Sequence, residues 1–184
     1  MMAHMNLISQ FAWVPGPHGS VDEQTMRFKG RCSVTTVIKF KKEGDGFLVD
    51  CWTDSGCTYS VYFRNELAPL KCKNTGLSSL HKRCLATYDS LPDRNYKAWI
   101  DNLYTSYPFI VASLNHPAKV MVEGACRKGK WGMPEGVKQE EIPLHKKQRL
   151  AEAAGTLKAA VTYSKEHPEH AIIAVSLHDK KPFI

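Results

Sequence analysis

Between residues 20 and 63 the chain is dense in β-branched and aromatic residues, broken at short intervals by glycine and aspartate. Segments 20–28, 33–40, 47–53 and 58–63 therefore read as strands, the second of them through Val34, Thr35, Thr36, Val37 and Ile38 in a row. Gly44-Asp45-Gly46 and Asp54-Ser55-Gly56 supply the turn chemistry between them. Connections this short predict an antiparallel meander.

The period then changes. Leu77, Leu80, Cys84, Leu85 and Tyr88 recur at helical spacing, with Gly76 before and Pro92 after, which predicts a helix over 77–88. A short strand follows over 96–100. A second helix is predicted over 107–115, with Thr105 and Ser106 as candidate caps and Pro108 in the first turn. Another strand spans 119–126, where Gly124 marks a bulge or a close approach. Strands, helix, strand, helix, strand in this order predict an α/β fold: a mixed sheet with helices packed on it. Farther along, a helix is expected over 146–154 and strands over 156–164 and 171–177, joined through His167-Pro168-Glu169. Two prolines and two glycines in 13–19 read as a loop, so 1–19 is a lead-in and ordered structure is expected from residue 20. Residues 20–184 form one domain in this reading, with 127–156 as a loop or insertion.

Composition narrows the class. A chain of 184 residues, 43% apolar and 23% charged, fits one globular domain. The longest apolar run, 171–175, is too short to span a bilayer, so no membrane segment is expected. Residues 1–10 hold no Lys or Arg and no apolar run of signal-peptide length, which points to an intracellular, reducing setting. The six cysteines form no C-x-x-C pair and read as buried thiols, and the eight histidines show no H-E-x-x-H spacing, so a zinc site is not expected. Trp13, Trp52, Trp99 and Trp131 read as core or loop anchors. The formal charge of +7 is compatible with a nucleic-acid partner, and basic residues cluster at 39–42, 71–83, 127–130 and 146–149, although a solvated face accounts for each cluster singly.

Candidate chemistry lies with two acids. Asp22, in Ser20-Val21-Asp22-Glu23-Gln24, and Asp101, in Trp99-Ile100-Asp101-Asn102, stand where apolar or β-prone stretches give way to polar ones. Carboxylates at strand ends are placed to hold a divalent cation, and hard oxygen ligands are what Mg²⁺ requires. The same residues also read as ordinary strand-end or cap residues. Asp54, in Asp-Ser-Gly, reads as a turn residue.

Taken together, Asp22-Glu23-Gln24, Phe28-Lys29-Gly30-Arg31-Cys32, Asp54-Ser55-Gly56, Asp101-Asn102-Leu103-Tyr104-Thr105-Ser106 and Glu123-Gly124-Ala125-Cys126-Arg127 leading to Met133-Pro134 resemble the catalytic core of piggyBac-type transposases. The motifs come in the family's order and cover most of residues 13–184. Leu103 departs from the pattern, standing where an aromatic is commoner.

The resemblance implies an RNase H-like (retroviral integrase-like) fold, nuclear localisation, DNA as partner and metal-dependent DNA strand cleavage and transfer with Mg²⁺ or Mn²⁺. It places Asp22 and Asp101 as the first two catalytic, metal-holding carboxylates. Arg31, Lys128 and Lys130 are the corresponding candidates for phosphate contact. The family's third catalytic Asp falls beyond Ile184, so the core is expected to be incomplete at its C-terminus and the chain inactive alone. The alternative is a transposon-derived, non-catalytic DNA-binding or protein-interaction module.

Overall fold

The computed structural model describes residues 2–37, 45–64, 76–92, 95–126, 137, 141–144, 147–150, 157–163, 165 and 168–177. They fall into two compact units, Met1–Ala125 and Cys126–Ile184.

In the first unit, strands β1 (His18–Arg27), β2 (Thr36–Val37), β3 (Asp45–Asp54), β4 (Cys57–Phe63), β5 (Tyr96–Ile100) and β6 (Val120–Gly124) form one mixed sheet, with helices α1 (Met2–Ala12), α2 (Ser79–Tyr88) and α3 (Tyr107–Leu114). Strand β3 pairs antiparallel with β1, β2 and β4, whereas β1, β5 and β6 run parallel. The mixture follows from the connections. The β3–β4 link is a two-residue turn with Ser55 at φ 50° and Gly56 at φ 82°, the left-handed pair that suits the twist of a tight hairpin. Parallel neighbours need a crossover, and α2 and α3 lie in the segments that lead into β5 and β6.

Each crossover helix is started by a serine. Ser78 accepts from the His81 N–H at 3.2 Å at the head of α2, and Ser106 accepts from the Phe109 N–H at 3.4 Å at the head of α3. Pro108 sits in the first turn of α3, where a missing donor costs nothing. The main core holds Val21, Trp52, Leu85, Tyr88, Tyr96, Ile100 and Phe109. Trp52 packs edge-on to Tyr88 and Tyr96 at ring separations of 5.6 and 5.9 Å. A smaller cluster of Val49, Cys51 and Val61, with Met26 and Phe63 against it, occupies alternate positions of the same strands and so the opposite sheet face.

Several expectations are corrected. Residues 2–12 are helical rather than a structureless lead-in, although Leu7 and Phe11 are exposed. What ties α1 down is buried Asn6, whose side-chain amide donates to the Val61 carbonyl at 3.1 Å and accepts from the Val61 N–H at 2.8 Å on the outer edge of β4. The predicted 33–40 strand is reduced among described residues to Thr36–Val37, because Thr35 turns back on the Cys32 carbonyl through both its N–H and its hydroxyl. No simple meander results, since β2 lies across β3 from β1. Strand β3 begins at Asp45, so Asp45 and Gly46 are paired rather than turn residues. Two of the thiols read as buried, Cys32 and Cys57, are exposed, and Trp99 is 45% exposed rather than a core anchor.

In the second unit, β7 (Glu141–Leu144) pairs antiparallel with β8 (Lys147–Leu150), and β9 (Leu157–Tyr163) with β10 (Ala171–Leu177). The last two strands match expectation. Residues 147–150 do not: helix-favouring Lys147, Gln148, Arg149 and Leu150 are overridden by hairpin pairing to 141–144. Among described residues, no helix is long and apolar enough to cross a membrane.

Candidate functional site

The site is a consequence of register. Strand β1 pairs with β5 from His18↔Lys97 to Val21↔Ile100, and Asp22 and Asp101 are the next residue along each chain. Neighbouring strands lie about 4.8 Å apart, so both acids leave the ladder from adjacent positions. Val21 and Ile100 are buried in the main core, and alternation turns Asp22 and Asp101 to the opposite face, where both are exposed. At this point β5 ends, while β1 continues to Arg27 against β3. The acids stand in the notch left by the departing strand.

Local geometry orients both carboxylates in the same way. Asp22 Oδ1 accepts from the Glu23 N–H at 2.7 Å, and Asp101 Oδ1 accepts from the Asn102 N–H at 2.6 Å. Neither forms an ion pair with a described residue. After Asp101 the chain turns at once: the Asp101 carbonyl accepts from Tyr104 N–H, Thr105 N–H and Thr105 Oγ1 at 3.0, 3.3 and 3.0 Å. The neighbouring end of β6 approaches so closely that a Cβ on Gly124 would lie 2.3 Å from the Ile100 carbonyl oxygen and 2.9 Å from Thr105 Oγ1. Across β3, Cys51 is paired with Asp22; burial first, then the charges of Asp50 and Asp22, push its thiol up to about 12, so it stays protonated.

On the face beneath lies a second set of charges. Glu23 is paired with Asp50 across β1 and β3, and Asp50 is fully buried. Its Oδ1 accepts from Tyr104 OH at 2.7 Å and from Arg64 Nε and Nη2 at 3.2 and 3.1 Å, and its Oδ2 accepts from Arg83 Nε at 2.8 Å. Arg64 Nη2 also reaches Glu23 Oε2 at 2.7 Å. Two carboxylates thus meet two guanidiniums. Burial opposes the Arg64 charge, but Asp50 and its hydrogen bonds hold that group above its ordinary value; burial and then Asp50 push the Tyr104 phenol far up, which keeps it a donor. Arg83 is therefore held inside the fold, not part of a solvated basic face. Sequence reasoning missed this network, and its one signal was a charge at Asp50 inside the apolar run Phe47-Leu48-Val49-Asp50-Cys51-Trp52.

The remaining candidates separate. Arg31 is exposed in the loop after β1, and Lys128 and Lys130 lie outside the described residues. Asp54 does end a strand at a turn, as expected, and is nearly buried, accepting from the Gly16 N–H at 2.6 Å and from Ser55 Oγ at 2.8 Å. Among described residues no group of three or more His, Cys, Asp or Glu is placed to hold a metal ion. Asp22 and Asp101 nonetheless fit as two ligands of a hard cation, since Mg²⁺ is bound through one or two carboxylates with water completing its shell.

A family model described as Transposase IS4 matches residues 1–183. Among solved structures, the chain is similar to one reported as the cryo-EM structure of piggyBac transposase synaptic complex with hairpin DNA, at TM-score 0.62 and 21% identity over 93% of this chain. The chain spans 35% of that one, and the likeness is to an RNase H-like core. No curated protein matches.

Proposed function

Since the chain belongs to the Transposase IS4 family and carries a piggyBac-related catalytic-domain segment, we propose that Asp22 and Asp101 are the first two metal-holding carboxylates of a cut-and-paste DNA strand-transfer site. The observation that carries this reading is a contrast of charge. Glu23 and Asp50, a like-charged pair on one face, are neutralised by Arg64 and Arg83. Asp22 and Asp101, a like-charged pair on the other, meet no described cation. A divalent cation held by both carboxylates would supply the counter-charge that the described residues do not.

The family implies a divalent metal. Such an ion, Mg²⁺ or Mn²⁺, supplies activation of a water or 3′-hydroxyl oxygen and stabilisation of the leaving oxygen. The chain's own part is to present two carboxylate ligands in fixed register and to turn away immediately after Asp101, leaving the strand end open to a DNA backbone. Arg31, with Lys128 and Lys130, would contact phosphates without reading sequence.

Among the described residues Asp22 and Asp101 supply two carboxylates, which with water ligands would hold one cation weakly. The test has two parts. Mn²⁺ titration followed by electron paramagnetic resonance is expected to show weak binding that Asp22→Asn and Asp101→Asn each remove; no binding at millimolar Mn²⁺ would sink the assignment. Hairpin or nicked DNA should remain uncut with Mg²⁺ or Mn²⁺, and cleavage abolished by Asp22→Ala would show that no further carboxylate is needed. DNA binding is expected to weaken steeply with added salt.

A further inference from the structure

We infer that Arg64 and Tyr104, joined through buried Asp50, are positioning residues that lock the Asp22 and Asp101 segments into one register; the inference rests on Asp22 and Asp101 being metal ligands. Strand pairing alone leaves the Asp101 side loose, because the β1–β5 ladder stops at Val21↔Ile100, one residue short of the acids. Beyond Asp101 the chain enters a turn, and turns hold position poorly unless something distant anchors them.

The anchor here is Tyr104. Its hydroxyl crosses beneath the sheet to Asp50 Oδ1 at 2.7 Å, a bond between residues 54 apart in sequence, and the phenol is fully buried. On the other side, Glu23 is the residue next to Asp22, and Arg64 ties its carboxylate to the same Asp50 oxygen. Asp22 and Asp101 are therefore each adjacent to, or one turn from, a residue bonded into one buried charge cluster. Arg64 also donates to Tyr104 OH at 3.4 Å, which closes the circuit directly between the two acid-bearing segments. A network centred on a fully buried carboxylate resists displacement, since moving it strands the Asp50 charge in low dielectric.

The network touches neither candidate metal-holding carboxylate, so its effect must appear as a loss of pre-organisation. Removing groups that orient metal ligands typically weakens affinity by 10- to 100-fold, and an indirect support is expected at the lower end, about tenfold. Tyr104→Phe keeps the ring and deletes the bond to Asp50; Arg64→Lys keeps the charge and loses the fork that bridges Glu23 and Asp50. Both are compared with Leu91→Ala, a core truncation away from the network, at temperatures where the variants are equally folded by circular dichroism. The readout is Mn²⁺ affinity by electron paramagnetic resonance on the whole chain.

The expected result is about tenfold weaker Mn²⁺ binding in Tyr104→Phe and Arg64→Lys, and unchanged affinity in Leu91→Ala. Wild-type affinity in both network variants overturns the positioning role while leaving the metal site standing. An equal loss in Leu91→Ala overturns it too, by showing that general softening is enough. Absence of Mn²⁺ binding by the wild-type chain removes the metal site and this inference with it.

Discussion

Glu23 and Asp50 lie directly opposite one another on antiparallel strands, and Arg64 donates to both carboxylates. One residue back along β1, Asp22 and, after β5, Asp101 form no ion pair with a described residue. The fold thus handles the two sets of acids differently: one is sealed by internal cations and the other is exposed to solvent.

The sealed pair sets a stability prediction. Asp50→Ala leaves the Arg64 and Arg83 guanidiniums without their shared counter-charge, and breaking a buried pair from one side costs about 3–5 kcal/mol. Urea unfolding should show a loss of that size. Adding Arg83→Met to Asp50→Leu should recover much of it, because a well-packed apolar replacement avoids the stranded charge. A loss for Asp50→Ala within ordinary surface values would mean that water reaches the cluster.

Gly124 makes a second case. An added methyl would press on the Ile100 carbonyl, which belongs to the backbone of β5 and cannot rotate away. Gly124→Ala is expected to destabilise by about 1–3 kcal/mol, the usual range for overpacking. Amide resonances from Asp101 to Thr105 should move most, and a change confined to β6 would argue against the close approach.

Acid should loosen the segment before β1. Burial alone would raise the Asp54 carboxyl, but hydrogen bonds from the Gly16 N–H, Ser55 and Trp13, with His18 nearby, hold it below its ordinary value. A carboxyl depressed in the folded state contributes stability above its unfolded value of about 3.9, lost as pH falls through the lower folded value. Melting temperatures measured from pH 6 to 3 should therefore drop less steeply at the acid end in Asp54→Asn than in the wild type.

His81 acts in a higher window. Its ring stacks on Phe109 at 5.0 Å, and burial lowers its pKa, partly offset by a hydrogen bond to the Tyr104 backbone. The unfolded chain therefore takes up a proton first, near about pH 6.5, and stability declines as pH falls below that value. His81→Gln should flatten the melting-temperature slope between pH 7 and 5.5. An unchanged slope would assign it to another group.

Much of this architecture was legible because local chemistry and tertiary need agree. Ser106 is a cap residue at the head of a helix, Asp54-Ser55-Gly56 is a hairpin turn, and Asp101 directly follows the strand over 96–100, whereas Asp22, read as a strand-end residue, lies within β1, which runs on to Arg27. The hidden parts depend on distant partners. No local feature announces that Thr35 folds back on Cys32, that residues 147–150 pair as a strand, or that Tyr104 spans the sheet to Asp50. Helix α1 was obscure for a related reason: its anchoring contact is one polar side chain, while the apolar residues that should betray a packed helix face outward.

That single contact bears on self-association. By giving Val61 one donor and one acceptor, Asn6 imitates the backbone of an additional strand, so at this position β4 is not an open template for another chain. A version of the protein lacking residues 2–12, or carrying Asn6→Leu, would keep its sheet but leave the Val61 N–H and carbonyl on the β4 edge without the Asn6 amide. Its failure would be visible as concentration-dependent oligomers joined edge to edge, not as an unfolded monomer.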